Sequence, residues 1–152
     1  MITILHVHEK PIFESSYTVR GGNFDEAGKV ASQIKASLKK LGLQTEVIRK
    51  ASLVAYESEI NIVSYARKGT INISITPKRV KIETIDEGQG IPDINLAMQE
   101  GYSTANAKIR EMGFGAGMGL CNIKKFSDQF QITSEIGKGT YLKMIIHIEN
   151  GA

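Results

Sequence analysis

Asp86-Glu87-Gly88-Gln89-Gly90-Ile91-Pro92 sets a carboxylate ahead of two glycines at alternate positions, where a strand is expected to end. An ionised carboxylate only accepts hydrogen bonds, and glycine lets backbone come close to a flat ligand, so the segment suits a base that carries an amino group. Upstream, Glu57 and Asn61 stand four residues apart in a helical stretch, about 40° apart around its axis. A carboxylate there can orient or deprotonate a nucleophile, and an amide oxygen can bind a hard cation. Downstream, Gly113-Phe114-Gly115-Ala116-Gly117-Met118-Gly119 leads into a helix expected from Leu120, whose first amides and dipole favour phosphate. These three parts make a nucleotide site.

The glycine run does not match G-x-x-x-x-G-K-[ST], which occurs nowhere in the chain. It also fails G-x-G-x-x-G, because Met118 or Leu120 stands at the sixth position. P-loop and dinucleotide-binding folds are disfavoured accordingly. Gly137-Lys138-Gly139-Thr140 completes the set. The order Glu57-x-x-x-Asn61, Asp86-x-Gly88-x-Gly90, Gly113 to Gly119 and Gly137-x-Gly139-Thr140 resembles the Bergerat-fold ATPases of gyrase, heat-shock chaperone, histidine-kinase and MutL type (the GHKL superfamily). Within that superfamily the chain is most similar to the small stand-alone anti-sigma-factor serine/threonine kinases of bacterial stress and sporulation switches. The resemblance runs from about Phe24 to Ile148.

The resemblance implies ATP as the nucleotide and Mg2+ as its metal. It implies Glu57 as general base, Asn61 as magnesium ligand, Asp86 as acceptor for the adenine amino group, and Thr140 as a support of the adenine site. Nucleotide contacts are expected also from Gly88, Gly90, Ile91, Ser103, Thr104, Gly113, Gly115, Gly117, Met118, Gly119 and Leu120. Lys108 and Arg110 lie in the same segment, and one of them is expected to reach the terminal phosphate or the partner. The implied activity is transfer of that phosphate to a serine or threonine of a partner, a STAS-type antagonist of the anti-sigma factor, with a sigma factor as a second partner. A module that holds ATP as a conformational signal, with little turnover, stays open as an alternative. The catalytic half of a histidine kinase is disfavoured, because no phosphoacceptor helix or dimerising heptad precedes the domain. A MutL- or gyrase-like role would need a further domain. The chain departs from the common pattern at Tyr65, near where many relatives carry a histidine. It departs also in residues 1–22, an extension that could add an edge strand, a homodimer contact or a partner surface.

A chain of 152 residues is expected to form one domain, 1–152. Its 41% hydrophobic and 23% charged residues are those of an ordinary globular protein. A net charge of +3, evenly spread, argues against nucleic acid, and Lys35, Lys39 and Lys40 read as a solvated helix face. The lone cysteine, Cys121, excludes an internal disulfide, fits a reducing cytosol and reads as a small buried hydrophobe. No apolar run reaches signal or membrane-span length, so a cytoplasmic protein without a membrane partner is expected. His6 and His8 share a strand face but have no third ligand nearby, which disfavours a metal there.

The elements that must position these residues follow from periodicity. Strands are expected at Ile2 to Val7 and Phe13 to Val19, with a turn at Glu9-Lys10-Pro11 and a break at Gly21-Gly22. Asn23 should cap a helix with the apolar stripe Ala27, Val30, Ala31, Ile34, Leu38 and Leu41, stopped by Gly42. A second helix should run from Thr45 to Ala66, with Ser52, Tyr56, Glu59 and Val63 on its solvent arc. Strands at Ile71 to Ile75 and Val80 to Ile85, a hairpin at Pro77-Lys78, and a short helix over Asp93 to Gln99 come next. Residues 101–119 read as a functional loop with a turn near Asn106 to Arg110. A helix over Leu120 to Phe126 and strands at Phe130 to Ser134 and Tyr141 to Ile148 complete the domain. The sum is an α+β two-layer sandwich, the Bergerat architecture, with helices on one face of a mixed, mainly antiparallel sheet.

Overall fold

The computed structural model describes residues 9–99 and 119–149. The expected strand at Ile2 to Val7, the two histidines on it and the loop 101–118 lie outside these residues. Among them the order is β1 (Phe13–Arg20), a 3-10 turn (Phe24–Glu26), α1 (Lys29–Lys40), α2 (Thr45–Tyr65), β2 (Ala66–Ile75), β3 (Arg79–Gly88), α3 (Ile94–Ala97), α4 (Gly119–Lys125), β4 (Gln129–Glu135) and β5 (Gly139–His147). The strands form one sheet in the order β1-β2-β3-β5-β4, and all four pairings are antiparallel. Phe13–Arg20, from the N-terminal extension, is the edge strand beside β2.

Alternation sends Ile71, Ile73, Ile75, Val80, Ile82, Leu142, Met144 and Ile146 to the face covered by the helices, where each is buried. From α1 the residues Ala31, Ile34 and Leu38 meet them, and Ala27, Val30 and Leu41 pack at the margin, so the expected stripe is the observed one. The turn between β2 and β3 is closed by the Thr76 hydroxyl, which accepts from Lys78 N and Arg79 N at 3.2 Å. No helix among the described residues is long and apolar enough to cross a membrane.

Three expectations are corrected. Asn23 does not cap α1. It precedes only the 3-10 turn, where its side chain bonds Glu26, and the helix starts after Gly28 at φ 97°. The physical reason is Glu59, expected in solvent but only 2% exposed. Its carboxylate accepts from Gly28 N at 3.1 Å, Val30 N at 3.2 Å and Ala31 N at 2.8 Å, and so supplies from a neighbouring helix the partners that the first amides of α1 lack. Val63, on the same expected solvent arc, is 3% exposed, because it joins the hydrophobic core. The third correction concerns β3, which runs through Asp86 to Gly88 because Ala66 and Gly69 of β2 continue the pairing past Ile85 across a bulge.

No connecting loop separates α2 from β2. Tyr65 ends the helix and Ala66 is already extended, at φ −115° and ψ 161°. The turn after β1 clasps this junction: Gly21 N donates to Arg67 O and Gly22 N to Val63 O, each at 2.8 Å. A Cβ on Gly21 would stand 1.6 Å from the Ala66 carbonyl oxygen. Gly21→Ala should therefore push the turn off the junction and cost roughly 1–3 kcal/mol, the usual range for forced overpacking. Urea unfolding would measure it as a lowered midpoint at unchanged slope.

Candidate functional site

On the helix-covered face, three neighbouring strands change from apolar to polar at the same end. Strand β3 reads Val80, Ile82, Thr84, Asp86, β5 reads Met144, Leu142, Thr140, and β4 reads Phe130, Ile132, Ser134. Asp86 and Glu87, adjacent in sequence, are sent to opposite faces and titrate in opposite directions. Glu87 lies on the open face, where the Arg67 guanidinium at 3.0 Å, with Lys68 at 3.6 Å, holds its carboxyl below the usual range. Asp86 is half-buried, and burial raises its pKa against the pull of hydrogen bonds from Thr140 N and Gly88 N, both 3.1 Å from Oδ1. Both of those bonds fall on one oxygen, so among the described residues Oδ2 is left to meet a ligand.

Gly90, expected to admit a ligand, and Gly139, of the last motif, are both held close by the chain's own backbone. A Cβ at Gly139, where φ is 140°, would lie 1.9 Å from the Asp86 carbonyl oxygen. One at Gly90, where φ is 78°, would lie 2.4 Å from the Glu135 carbonyl oxygen. Both glycines let strand ends close over Asp86. Gly88 packs against Tyr65 O and thereby places the C-terminal end of α2 beside this pocket.

One and two turns back along α2 lie Asn61 and Glu57, both half-buried. They face the first residue of α4: a Cβ on Gly119 would stand 3.1 Å from Asn61 Oδ1 and 3.4 Å from Glu57 Oε2. Because Gly119 has none, a small cradle remains, among the described residues, between the two side chains. Asn122, one turn further along α4, bonds the Glu57 carboxyl; burial raises the Glu57 pKa and that bond partly offsets the rise. Of the groups around the cradle, the Asn61 amide oxygen is one that could ligate a hard divalent cation such as magnesium. Among the described residues no group of three His, Cys, Asp or Glu side chains could hold a metal alone.

Of the expected site residues, Glu57, Asn61 and Gly119 come together at the cradle, and Asp86, Gly88, Gly90, Ile91 and Thr140 around the half-buried carboxylate. Leu120 packs at the margin of the core, and Cys121 is half-buried. Ser103, Thr104, Lys108, Arg110, Gly113, Gly115, Gly117 and Met118 lie outside the described residues. Asn122 and Ser134 were not anticipated. Ser134 left one signal: it is the polar third member of the alternation begun by Phe130 and Ile132.

Residues 46–150 match the family of histidine kinase-, DNA gyrase B- and HSP90-like ATPases, and the chain belongs to it. It is 35% identical to an anti-sigma F factor of Caldanaerobacter subterraneus subsp. tengcongensis over 68% of this chain and 65% of the relative. It is also 35% identical to the serine/threonine-protein kinase RsbT of Bacillus subtilis, over 70% of this chain and 77% of that one. An anti-sigma F factor of Thermoanaerobacter sp. (strain X514) is again 35% identical, over 68% and 65%. The chain thus spans just under two thirds of the length of the anti-sigma F factors.

Proposed function

We propose that the protein is a cytoplasmic, single-domain ATP-dependent serine/threonine kinase that acts as an anti-sigma regulatory factor, its substrate a STAS-type antagonist protein and a sigma factor its second partner. The observation that carries this reading is the arrangement along α2. Glu57 and Asn61 flank the cradle at Gly119, and the end of the same helix abuts the pocket of Asp86 and Thr140. Adenine and terminal phosphate would thus lie along one rigid element. The family match and the anti-sigma and kinase names of the relatives support the same class.

In this reading Asp86 accepts the adenine amino group. Asn61 Oδ1 would hold a magnesium ion, which would supply positive charge to offset that of the phosphates. Glu57 orients the incoming serine or threonine hydroxyl and takes its proton as the oxygen bonds to the terminal phosphorus. The bond from that phosphorus to the bridging oxygen breaks, and ADP leaves. Asn122 holds the Glu57 carboxyl toward the cradle.

Radiolabelled ATP incubated with the protein and a candidate antagonist tests the reading. Label on a serine or threonine of the antagonist is expected. ATP binding that switches partner affinity without any label would replace the kinase by an ATP-gated binding module.

The adenine contact gives a second expected result. Asp86→Asn replaces an acceptor-only group with one that also donates, and the loss of a charge-assisted hydrogen bond of about 1.5–3 kcal/mol should weaken ATP roughly tenfold or more. Because burial raises the Asp86 pKa, ATP affinity of the parent protein should also begin to fall, on acidification, above the ordinary aspartate range. Calorimetric titration over pH would show both, and equal affinity in parent and variant would remove Asp86 from the base contact.

A further inference from the structure

Ser134 Oγ lies at the centre of a hydrogen-bond set in which only one proton arrangement serves all three contacts. Ile91 N, which can only donate, is 2.7 Å away, and Gly139 O, which can only accept, is 3.1 Å away. The third neighbour is Thr140 Oγ1 at 2.9 Å, where either hydroxyl could be the donor. A serine hydroxyl has one proton, and the Gly139 carbonyl takes it. Thr140 must then donate to Ser134 Oγ, which accepts from Ile91 as well. The proton of Thr140 is therefore turned into the protein, and its Oγ1 offers only lone pairs to the pocket. Thr140 N is meanwhile tied to Asp86 Oδ1, so that lone pair and the aspartate carboxylate stand side by side.

We propose that Ser134 is a specificity-determining residue: by fixing the Thr140 proton, it makes the pocket a pair of acceptors that selects a 6-amino purine and rejects a 6-oxo purine. The inference rests on the adenine-site reading given above and deepens it. An amino group offers protons to both acceptors, directly or through one water. A 6-oxo purine brings only the N1–H beside its oxygen, which can meet one acceptor and leaves the oxygen's lone pairs against the other, and an unmatched buried polar contact discriminates more strongly than a missing one. Ser134 touches no base in this scheme and acts through Thr140 and through the Ile91 amide of the loop after β3.

Equilibrium binding of ATP and of inosine triphosphate, with magnesium, to the full chain tests it. The parent protein should prefer ATP. Ser134→Ala frees the Thr140 proton to turn toward the base, so the ATP-to-inosine-triphosphate affinity ratio should narrow about tenfold, chiefly because inosine triphosphate binds more tightly. Ser134→Thr keeps the hydroxyl and should keep the parent ratio. A folded Ser134→Ala with the parent ratio, or with equal losses for both nucleotides, overturns the proposal. If thermal unfolding shows Ser134→Ala to be unfolded, Thr140→Ala carries the test: it removes the second acceptor and must also narrow the ratio. A parent protein that binds neither nucleotide removes the nucleotide reading itself. One that binds ATP while the variants keep its ratio removes only the role of Ser134.

Discussion

Glu57→Gln should lower phosphate transfer by about 10²–10⁴-fold and leave ATP affinity within a few-fold of the parent. The substitution keeps shape and hydrogen-bonding capacity toward Asn122 but cannot take a proton. Asn61→Ala should behave differently. It removes the amide oxygen beside the cradle at Gly119, so magnesium-dependent ATP binding and transfer should fall together. The two variants would separate the proposed role of Glu57 on the nucleophile from that of Asn61 on the metal. Burial places the Glu57 pKa above the ordinary glutamate value, and only its ionised form is a base. Transfer by the parent protein should therefore rise with pH through a range above that ordinary value, and Glu57→Gln should lose this limb. Radiolabel incorporation measured across pH, beside nucleotide titration, checks each part. A Glu57→Gln protein that transfers at the parent rate would exclude Glu57 as the base.

Glu59→Ala should be strongly destabilising, on the scale of losing a buried core side chain of α2. It strips three amides at the start of α1 of their partner, one of them, Ala31 N, fully inside. Each buried unsatisfied donor costs on the order of 1–3 kcal/mol, and partial solvation at Gly28 and Val30 brings the sum to about 3–4 kcal/mol. For a domain of this size that is a fall of roughly 10 °C in melting temperature. Glu59→Gln retains one acceptor oxygen and should lose about half as much. Calorimetry on the three proteins decides the matter. A Glu59→Ala variant that melts with the parent would mean that α1 finds another cap.

The contrast between Glu57 and Glu59 shows what a sequence reveals and what it hides. The motif boxes were legible because each is local: Asp86 with Gly88, Glu57 with Asn61, Gly139 with Thr140. The apolar stripe of α1 and the alternation of β2, β3 and β5 were legible because burial repeats with the period of the element. Glu59 was placed in solvent because a helix wheel assigns charge outward, whereas its three donors belong to residues 28 to 31 positions earlier in the chain. A cap supplied by another helix leaves no local pattern. Asn23 drew the cap assignment for the same reason: it satisfies the local rule, and a distant carboxylate satisfies the helix. Ser134 was hidden differently. Its value lies in which proton points where, and that is fixed only once β4, β5 and the loop after β3 have met.

The direct passage from Tyr65 into Ala66 bears on how this chain can change over evolutionary time. Inserting one residue into α2 between Asn61 and Tyr65 would rotate Glu57 and Asn61 by about 100° relative to the sheet that carries Asp86. A deletion would turn them the other way, and there is no slack to absorb either, since Gly21 and Gly22 grip both sides of the junction. Substitutions here can be graded, but changes of length cannot. Descendants of this sequence should therefore vary in the number of residues at the 41–44 and 76–78 turns, and keep the interval from Glu57 to Gly69 at an unchanging count.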